Sequence, residues 1–386
     1  MKNKGKILFI LSLFLNLILV FFIFPKNQIR AKMAGARILG LETPKETPNL
    51  PQEIFLSDYK PVPVLNTEDK RQKKLPSFPV FETHGHLGKF FNTNPEKTSK
   101  DLKTYNYSKF INLSFTTGSE FVSMKKEYSD PKIIHFSTFN WKRLQEENSF
   151  SLMLKDLEND IQNGSRGIKL WKNFGLLLKK KNGERLKMND PELDPLFDLC
   201  EKKGLIISIH TADPPAFFQP ADGKNERFEE VVKHPEAAFS GKEFPKFEEV
   251  MKERDELFSR HKKLKIISLH FGEYSHDLEK AEKLLMDHPN VYIDTAARID
   301  ELGRQPKKAK AFFIKWQDRI VFGMDGPPDE GKLDVYSRFL ETEDEYFDYH
   351  PLHKPRKGLW KIYGIGLPKE VLKKVYHENA EKIIQF

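Results

Sequence analysis

Two histidines close an apolar run in Pro79-Val80-Phe81-Glu82-Thr83-His84-Gly85-His86-Leu87-Gly88. Side chains along a strand alternate faces with a period of two, so His84 and His86 project to one side. Two imidazoles side by side at a strand terminus make half of a divalent-metal site. A chance His-x-His pair is common, so the rest of the chain must supply the other half. Candidates recur at the ends of later apolar runs: Lys169, His210, His270 and Asp325. Taken singly, each has a plain structural explanation. A lone histidine ending a strand is more often a hydrogen-bonded loop residue, Asp325 before Gly326-Pro327 can simply start a turn, and Lys169 can snorkel. His135, within a run rather than at its end, reads as a core or pocket-floor residue. The joint pattern is what points to a metal.

The elements that would position these groups are regular. Strand-like runs fall at 79–84, 109–115, 132–137, 166–171, 204–210, 264–270, 290–295 and 319–325. Helical patterns lie between them, as at Ser151–Ile161, Pro191–Lys203, Lys246–His261, Asp277–His288 and Gln305–Trp316. Asn189-Asp190-Pro191 reads as a helix start and Lys202-Lys203-Gly204 as a helix stop. Eight strands alternating with helices over residues 76–386 predict an α/β fold, a (β/α)₈ TIM barrel. A doubly wound open sheet is the alternative, and it lacks the glycine-rich phosphate loop after the first strand. In a barrel the active site sits at the C-terminal strand ends, where the candidate residues fall.

Several motifs together carry a resemblance: Glu82-Thr83-His84-Gly85-His86, Gly167-Ile168-Lys169-Leu170, Ser208-Ile209-His210-Thr211, His270-Phe271-Gly272, Phe322-Gly323-Met324-Asp325-Gly326-Pro327 and Asn379-Ala380-Glu381-Lys382-Ile383-Ile384. In this order they resemble the amidohydrolase-related family of metal-dependent barrel enzymes. That branch includes aminocarboxymuconate-semialdehyde decarboxylase and aromatic-acid decarboxylases. The family opening is usually Asp-x-His-x-His, and here Glu82 replaces the aspartate. The resemblance implies His84, His86, His210 and Asp325 as metal ligands, with His270 orienting water or acting as acid/base. It implies one divalent metal, zinc first and manganese as the alternative. In the binuclear branch of the wider superfamily a carboxylated lysine at the end of strand four bridges two metals. The later motifs favour the mononuclear branch, which leaves Lys169 as a positive substrate contact.

Two long insertions, 211–245 and 326–366, are expected to roof the pocket. Phe217, Phe218, Tyr336, Phe339, Tyr346, Phe347 and Trp360 would form an apolar chamber. Arg298 and Arg338 are candidates to hold a substrate carboxylate bidentately, although an arginine in such a position is more often a surface or capping residue. The leading reading is a hydrolase in which metal-bound water, its pKa lowered toward about 7, attacks an ester, lactone or amide carbonyl. His270 or Asp325 would move the proton, and the substrate would be a small carboxylated or aromatic molecule. A non-oxidative decarboxylase on the same ligands is the alternative. A non-catalytic binding barrel would be expected to have lost ligands, and none is missing.

Composition bounds the rest. The single cysteine, Cys200, excludes a disulfide framework and any multi-cysteine zinc site. The net charge of +8 is concentrated at the start: residues 1–75 hold 13 Lys+Arg against 6 Asp+Glu, leaving 51 against 50 for residues 76–386. A nucleic-acid footprint is therefore unsupported. Residues 7–24 are an 18-residue uncharged run preceded by Lys2, Lys4 and Lys6. That length is at the short end of a membrane span, and the flank favours a cytoplasmic N-terminus. Residues 1–25 read as a single-pass signal-anchor in the cell membrane, with cleavage and secretion as the alternative. Residues 26–75 read as an extended tether packing on the barrel, which would lie outside the cytoplasm; a homodimer stays open.

Overall fold

The structure is a computed structural model that describes residues 72–352 and 357–384, with isolated positions between 54 and 65. The expected signal-anchor and most of the expected tether lie outside the described residues. Among those described, no helix is long and apolar enough to cross a membrane. The chain divides into two units, Met1–Asn66 and Thr67–Phe386; the second is the barrel.

Eight parallel strands form it: β1 Val80–Gly85, β2 Tyr107–Leu113, β3 Ile133–Phe136, β4 Gly167–Leu170, β5 Ile206–Ile209, β6 Lys265–Ser268, β7 Val291–Asp294 and β8 Ile320–Val321. Ladders join β1 to β3 in one group and β4 to β8 in another. Two seams close the ring. At the first, Ser137 pairs with Ile168, and Lys169 N donates to Ser137 O at 2.8 Å. At the second, Gly85 pairs with Gly326, and Thr83 N donates to Phe322 O at 3.0 Å. The expected (β/α)₈ barrel is the observed fold. The eighth strand is shorter than the expected 319–325, because the chain past Val321 follows the edge of β1 as a loop.

The longer helices are α1 Pro95–Thr104, α2 Gly118–Glu127, α3 Ser149–Gln162, α4 Asp194–Lys203, α5 Phe247–Arg260, α6 Leu278–Asp287, α7 Pro306–Lys315 and α8 Glu330–Glu341. Local chemistry sets their ends. The Asp190 side chain accepts from Glu192 N at 3.1 Å, so Asn189-Asp190-Pro191 opens one 3₁₀ turn before α4. Gly204, at φ +64°, stops α4 in the left-handed conformation that glycine adopts at least cost.

The pleat decides what enters the barrel. On β4, Ile168 and Leu170 join the layer under the helices, while Lys169 points inward. On β5, Ile207 and Ile209 face outward, and Ile206 faces in. The barrel interior is filled by Phe81, Ile111, Ile134, Phe136, Ile206, Ile267 and Val321. Ala380, Ile383 and Ile384, from the C-terminal helical stretch, pack against this plug. Burying each large side chain contributes on the order of 1.5–3 kcal/mol. His135, between Ile134 and Phe136, is buried on the opposite face, under the helices, with Nε2 donating to Tyr128 O at 2.9 Å, as expected for a core position.

Candidate metal centre

His84 and His86 end β1 on one face. Gly85 between them has no room for a side chain, since a Cβ there would lie 2.1 Å from the Phe110 ring. Gly323 likewise lets the strand-eight loop pass close to His84 and Asp294. His84 Nδ1 donates to Asp294 Oδ2 at 2.7 Å, and His86 Nδ1 donates to Leu113 O at 3.0 Å. With Nδ1 bonded outward, each ring presents Nε2 inward. His84 Nε2 lies 3.6 Å from Asp325 Oδ1, and His86 Nε2 lies 3.1 Å from the same oxygen. Lys169 Nζ stands 3.3 Å from His84 Nε2. His270 Nδ1 donates to Ala296 O at 3.0 Å. Its ring lies 4.8 Å from that of His84 and 4.1 Å from that of His210. One atom each from His84, His270 and Asp325 lie within 4.8 Å of one another, as do atoms from His210, His270 and Glu273.

Burial holds the charges in place. It pushes His84, His86 and His270 below the usual imidazole range and His210 to about 4, leaving all four neutral and able to donate a lone pair. Burial also pushes Lys169 down to about 8. It would raise Asp325, but His84 and His86 beside it hold that carboxyl well below its usual range. Asp294 is pushed up to about 7 by burial, opposed by the nearby Lys169. His84 Nε2 and His86 Nε2 converge on the one oxygen Asp325 Oδ1, two nitrogens and a carboxylate oxygen from separate strand ends. This donor set therefore fits a divalent cation.

The backbone around the site is strained. His270, Phe271, Glu273, Ala297 and Asp325 all have φ between +54° and +64°. Such conformations in non-glycine residues cost about 1–3 kcal/mol each and gather where function requires them.

The residues expected from the sequence divide in position. His84, His86, Lys169, His210 and Asp325 line one cavity of about 470 Å³, and His270 stands beside His84 and His210. Arg298 and Arg338 are elsewhere. Arg298 is buried with Nη2 donating to Glu273 Oε2 at 2.8 Å. Arg338 Nε donates to Asp344 Oδ2 at 2.7 Å, its guanidinium over the Phe347 ring. Neither lines the cavity.

The expected roof is also corrected. Phe217, Phe339 and Phe347 are buried in the core, while Tyr336 helps line a separate space of about 220 Å³ that reaches Asp325. The apolar wall of the main cavity is instead Phe90, Phe91, Phe115, Trp141 and Trp171, from the loops after the first four strands. Phe91 stacks on His86 at 4.6 Å.

Two buried acids, Asp294 and Glu273, were missed by reading only family ligands. Asp294 ends β7 at the same height as the others, a position the strand run 290–295 already marked. Glu273 follows His270 by three residues. Glu82 Oε1 accepts from His84 N at 2.8 Å and Met324 N at 3.0 Å, which ties β1 to the strand-eight loop. Glu82 thus has a positioning role in this chain.

A closed eightfold barrel whose mouth gathers neutral histidines around a carboxylate defines a metal-dependent (β/α)₈ enzyme class. Residues 151–386 match the model of the amidohydrolase family, so the chain belongs to that family of metal-dependent enzymes. No curated protein matches. Among solved structures, the chain is similar to a 2,6-dihydroxybenzoate decarboxylase complexed with 2,6-dihydroxybenzoate: 13% identity, TM-score 0.50, covering 81% of this chain and 100% of that one. It is similar to an uncharacterised TIM-barrel protein from Bordetella bronchiseptica, at 14% identity and TM-score 0.46, covering 75% and 81%. It is also similar to 5-carboxyvanillate decarboxylase from Novosphingobium aromaticivorans complexed with manganese, at 14% identity and TM-score 0.44, covering 74% and 79%. At these identities the likeness is one of fold.

Proposed function

We propose that the barrel is a metal-dependent hydrolase acting on an ester, lactone or amide carbonyl of a small substrate that carries a flat apolar group. The observation behind this reading is the convergence of His84 Nε2, His86 Nε2 and Asp325 Oδ1 at the inner end of the aromatic cavity. His84, His86 and Asp325 would hold one divalent cation, zinc or manganese, with His210 and His270 presenting nitrogen from the opposite side. Bound there, a cation supplies Lewis acidity, polarising a carbonyl and making water easier to deprotonate. Asp294 holds the tautomer of His84 by accepting its Nδ1 proton. The Asp325 side chain is 35% exposed, so its carboxylate can take a proton from a group in the cavity. Lys169, buried and cationic, faces the oxygen of a carbonyl or a carboxylate. Phe91, Phe115 and Trp171 stack the apolar group and exclude water from it.

Non-oxidative decarboxylation would use the same groups, with Lys169 gripping the carboxylate to be lost. The test is a screen of esters, lactones, amides and aromatic acids on protein stripped of metal and then reloaded. Carboxylate product that returns with the cation, with a proton released for an ester or lactone and an amine formed for an amide, supports hydrolysis. Carbon dioxide release without water addition would replace that reading with the alternative. We further propose that residues 7–24 hold the barrel outside the cytoplasm, on the strength of the lysine flank and the uncharged run. A reporter fused after Phe386 should be active only where exported; activity in the soluble cytoplasmic fraction would refute this.

A further inference from the structure

The loops after β7 and β8 bound a side chamber together with α8 and the stretch 349–357. It measures about 220 Å³, against about 470 Å³ for the main cavity, and Asp325 lines both. The Asp325 carboxylate turns Oδ1 toward His84 and His86 in the main cavity. Its backbone oxygen instead accepts from Lys332 Nζ, a side-chamber group, at 2.9 Å. The two spaces therefore meet at the residue where the proposed chemistry takes place.

The side chamber presents hydrogen-bond donors. An ammonium carries three of them. Lys332 has used one, on Asp325 O, and forms no ion pair among the described residues. Lys357 Nζ donates to Ala297 O at 2.8 Å and to Asp300 Oδ1 at 2.7 Å, which leaves it one. Tyr336 OH accepts from Ala297 N at 2.9 Å, so its own proton is left to donate. Asp300 does not cancel this charge, because Arg227 Nη2 holds its other oxygen at 3.1 Å. Ile299, Met324, Val335 and Pro351 supply apolar wall, and in such low-dielectric surroundings a hydrogen bond to a charge is stronger than in water. A compact oxyanion is the group that accepts from several such donors at once.

We propose that the side chamber is an oxyanion subsite, in which Lys332, Lys357 and Tyr336 hold a carboxylate or phosphate of the substrate while its flat apolar group stacks in the main cavity. The substrate is then a two-part molecule: an ester or amide with an apolar acyl part and a leaving part that ends in a compact anion, its carbonyl lying between them at Asp325. This deepens the proposed function and rests on it for the place of the carbonyl; the three anion-holding side chains are not cation ligands. Asp300 is a positioning residue, since it fixes Lys357 at the chamber wall.

The test is calorimetric titration of the full chain with benzoylglycine and with its neutral primary amide, benzoylglycinamide, each with and without Zn²⁺. Benzoylglycine should bind at least about 10-fold tighter than the amide, the scale of one hydrogen bond to a charged group, and equally so without Zn²⁺. Lys332→Met and Lys357→Met, checked for folding by circular dichroism, should each remove most of that preference, whereas Lys169→Met should keep it. Equal affinity for the two ligands, or binding of neither, overturns the subsite and leaves the hydrolase reading standing. A preference seen only with Zn²⁺ places the carboxylate on the cation, and one lost in Lys169→Met places it in the main cavity; either result overturns the subsite, as does full preference in folded Lys332→Met. If instead the preference holds but no ester, lactone or amide is hydrolysed, the hydrolase reading falls and the anion subsite stands. Should neither lysine variant fold, a crystal of the wild-type chain with benzoylglycine decides: a carboxylate within hydrogen-bond distance of Lys332 Nζ supports the subsite, and one beside Lys169 overturns it.

Discussion

The two ends of this barrel are built on opposite terms. Around Phe81, Ile134, Phe136, Ile267 and Val321 the interior is an apolar plug packed against the C-terminal helical stretch. At the mouth the same strands end in His84, Lys169, His270 and Asp294, all buried, and several flanking residues hold left-handed backbone. The plug stabilises the fold through burial alone. The mouth costs stability, since neutral imidazoles, a depressed lysine and raised carboxyls are each unfavourable to desolvate. A chain that keeps both in one barrel uses the first to hold the second. Changes at one end should therefore alter binding and chemistry, and changes at the other should alter stability.

The sharpest way to break that division is His84→Ala/His86→Ala. It should lose the cation on the Asp325 side and cut turnover by roughly 10³-fold or more, the scale seen when a principal electrostatic stabiliser is removed; elemental analysis and steady-state rates check both. At the other end, Phe136→Ala should cost about 3–5 kcal/mol in denaturant unfolding, while turnover per folded molecule stays at the wild-type value. A large loss of turnover in folded Phe136→Ala would show that the ends are not separable. Asp294→Ala, which leaves His84 Nδ1 without its acceptor, should weaken metal affinity by about 10–100-fold in chelator competition. Trp171→Ala should raise KM by roughly 2–10-fold with kcat little changed, in line with the ~0.5–1.5 kcal/mol of an aromatic contact. Arg338→Ala removes a peripheral contact and should shift stability by no more than about 1 kcal/mol; a fall in kcat would return Arg338 to the site.

The strand ends were legible because burial forces apolar runs and the pleat forces alternation. Lys169 between Ile168 and Leu170 had one face to take, and His84 and His86 shared another. The same reading placed Asp294 at a strand end, but an aspartate closing a strand has no spacing partner to mark it as a support for His84. Glu273 was hidden for a different reason: its position depends on left-handed backbone at His270 and Phe271, which no periodicity reveals. The aromatic wall was sought in the long insertions, where aromatic residues are dense. Those residues serve to anchor the insertions, with Phe217 and Phe347 packed into the core. The wall comes instead from the loops after the first four strands, with Phe115 and Trp171 only two and one positions past β2 and β4. Composition over a long loop reports its packing, whereas the strand end fixes what faces the substrate.

The central claim is that the mouth of this barrel holds a cation on His84, His86 and Asp325. Crystals of manganese-loaded protein, measured at an X-ray energy where manganese scatters anomalously, test it most directly. The account predicts an anomalous peak within coordination distance of His84 Nε2, His86 Nε2 and an Asp325 carboxylate oxygen. A fully loaded crystal with no peak there, or with its only peak away from these three side chains, would contradict it.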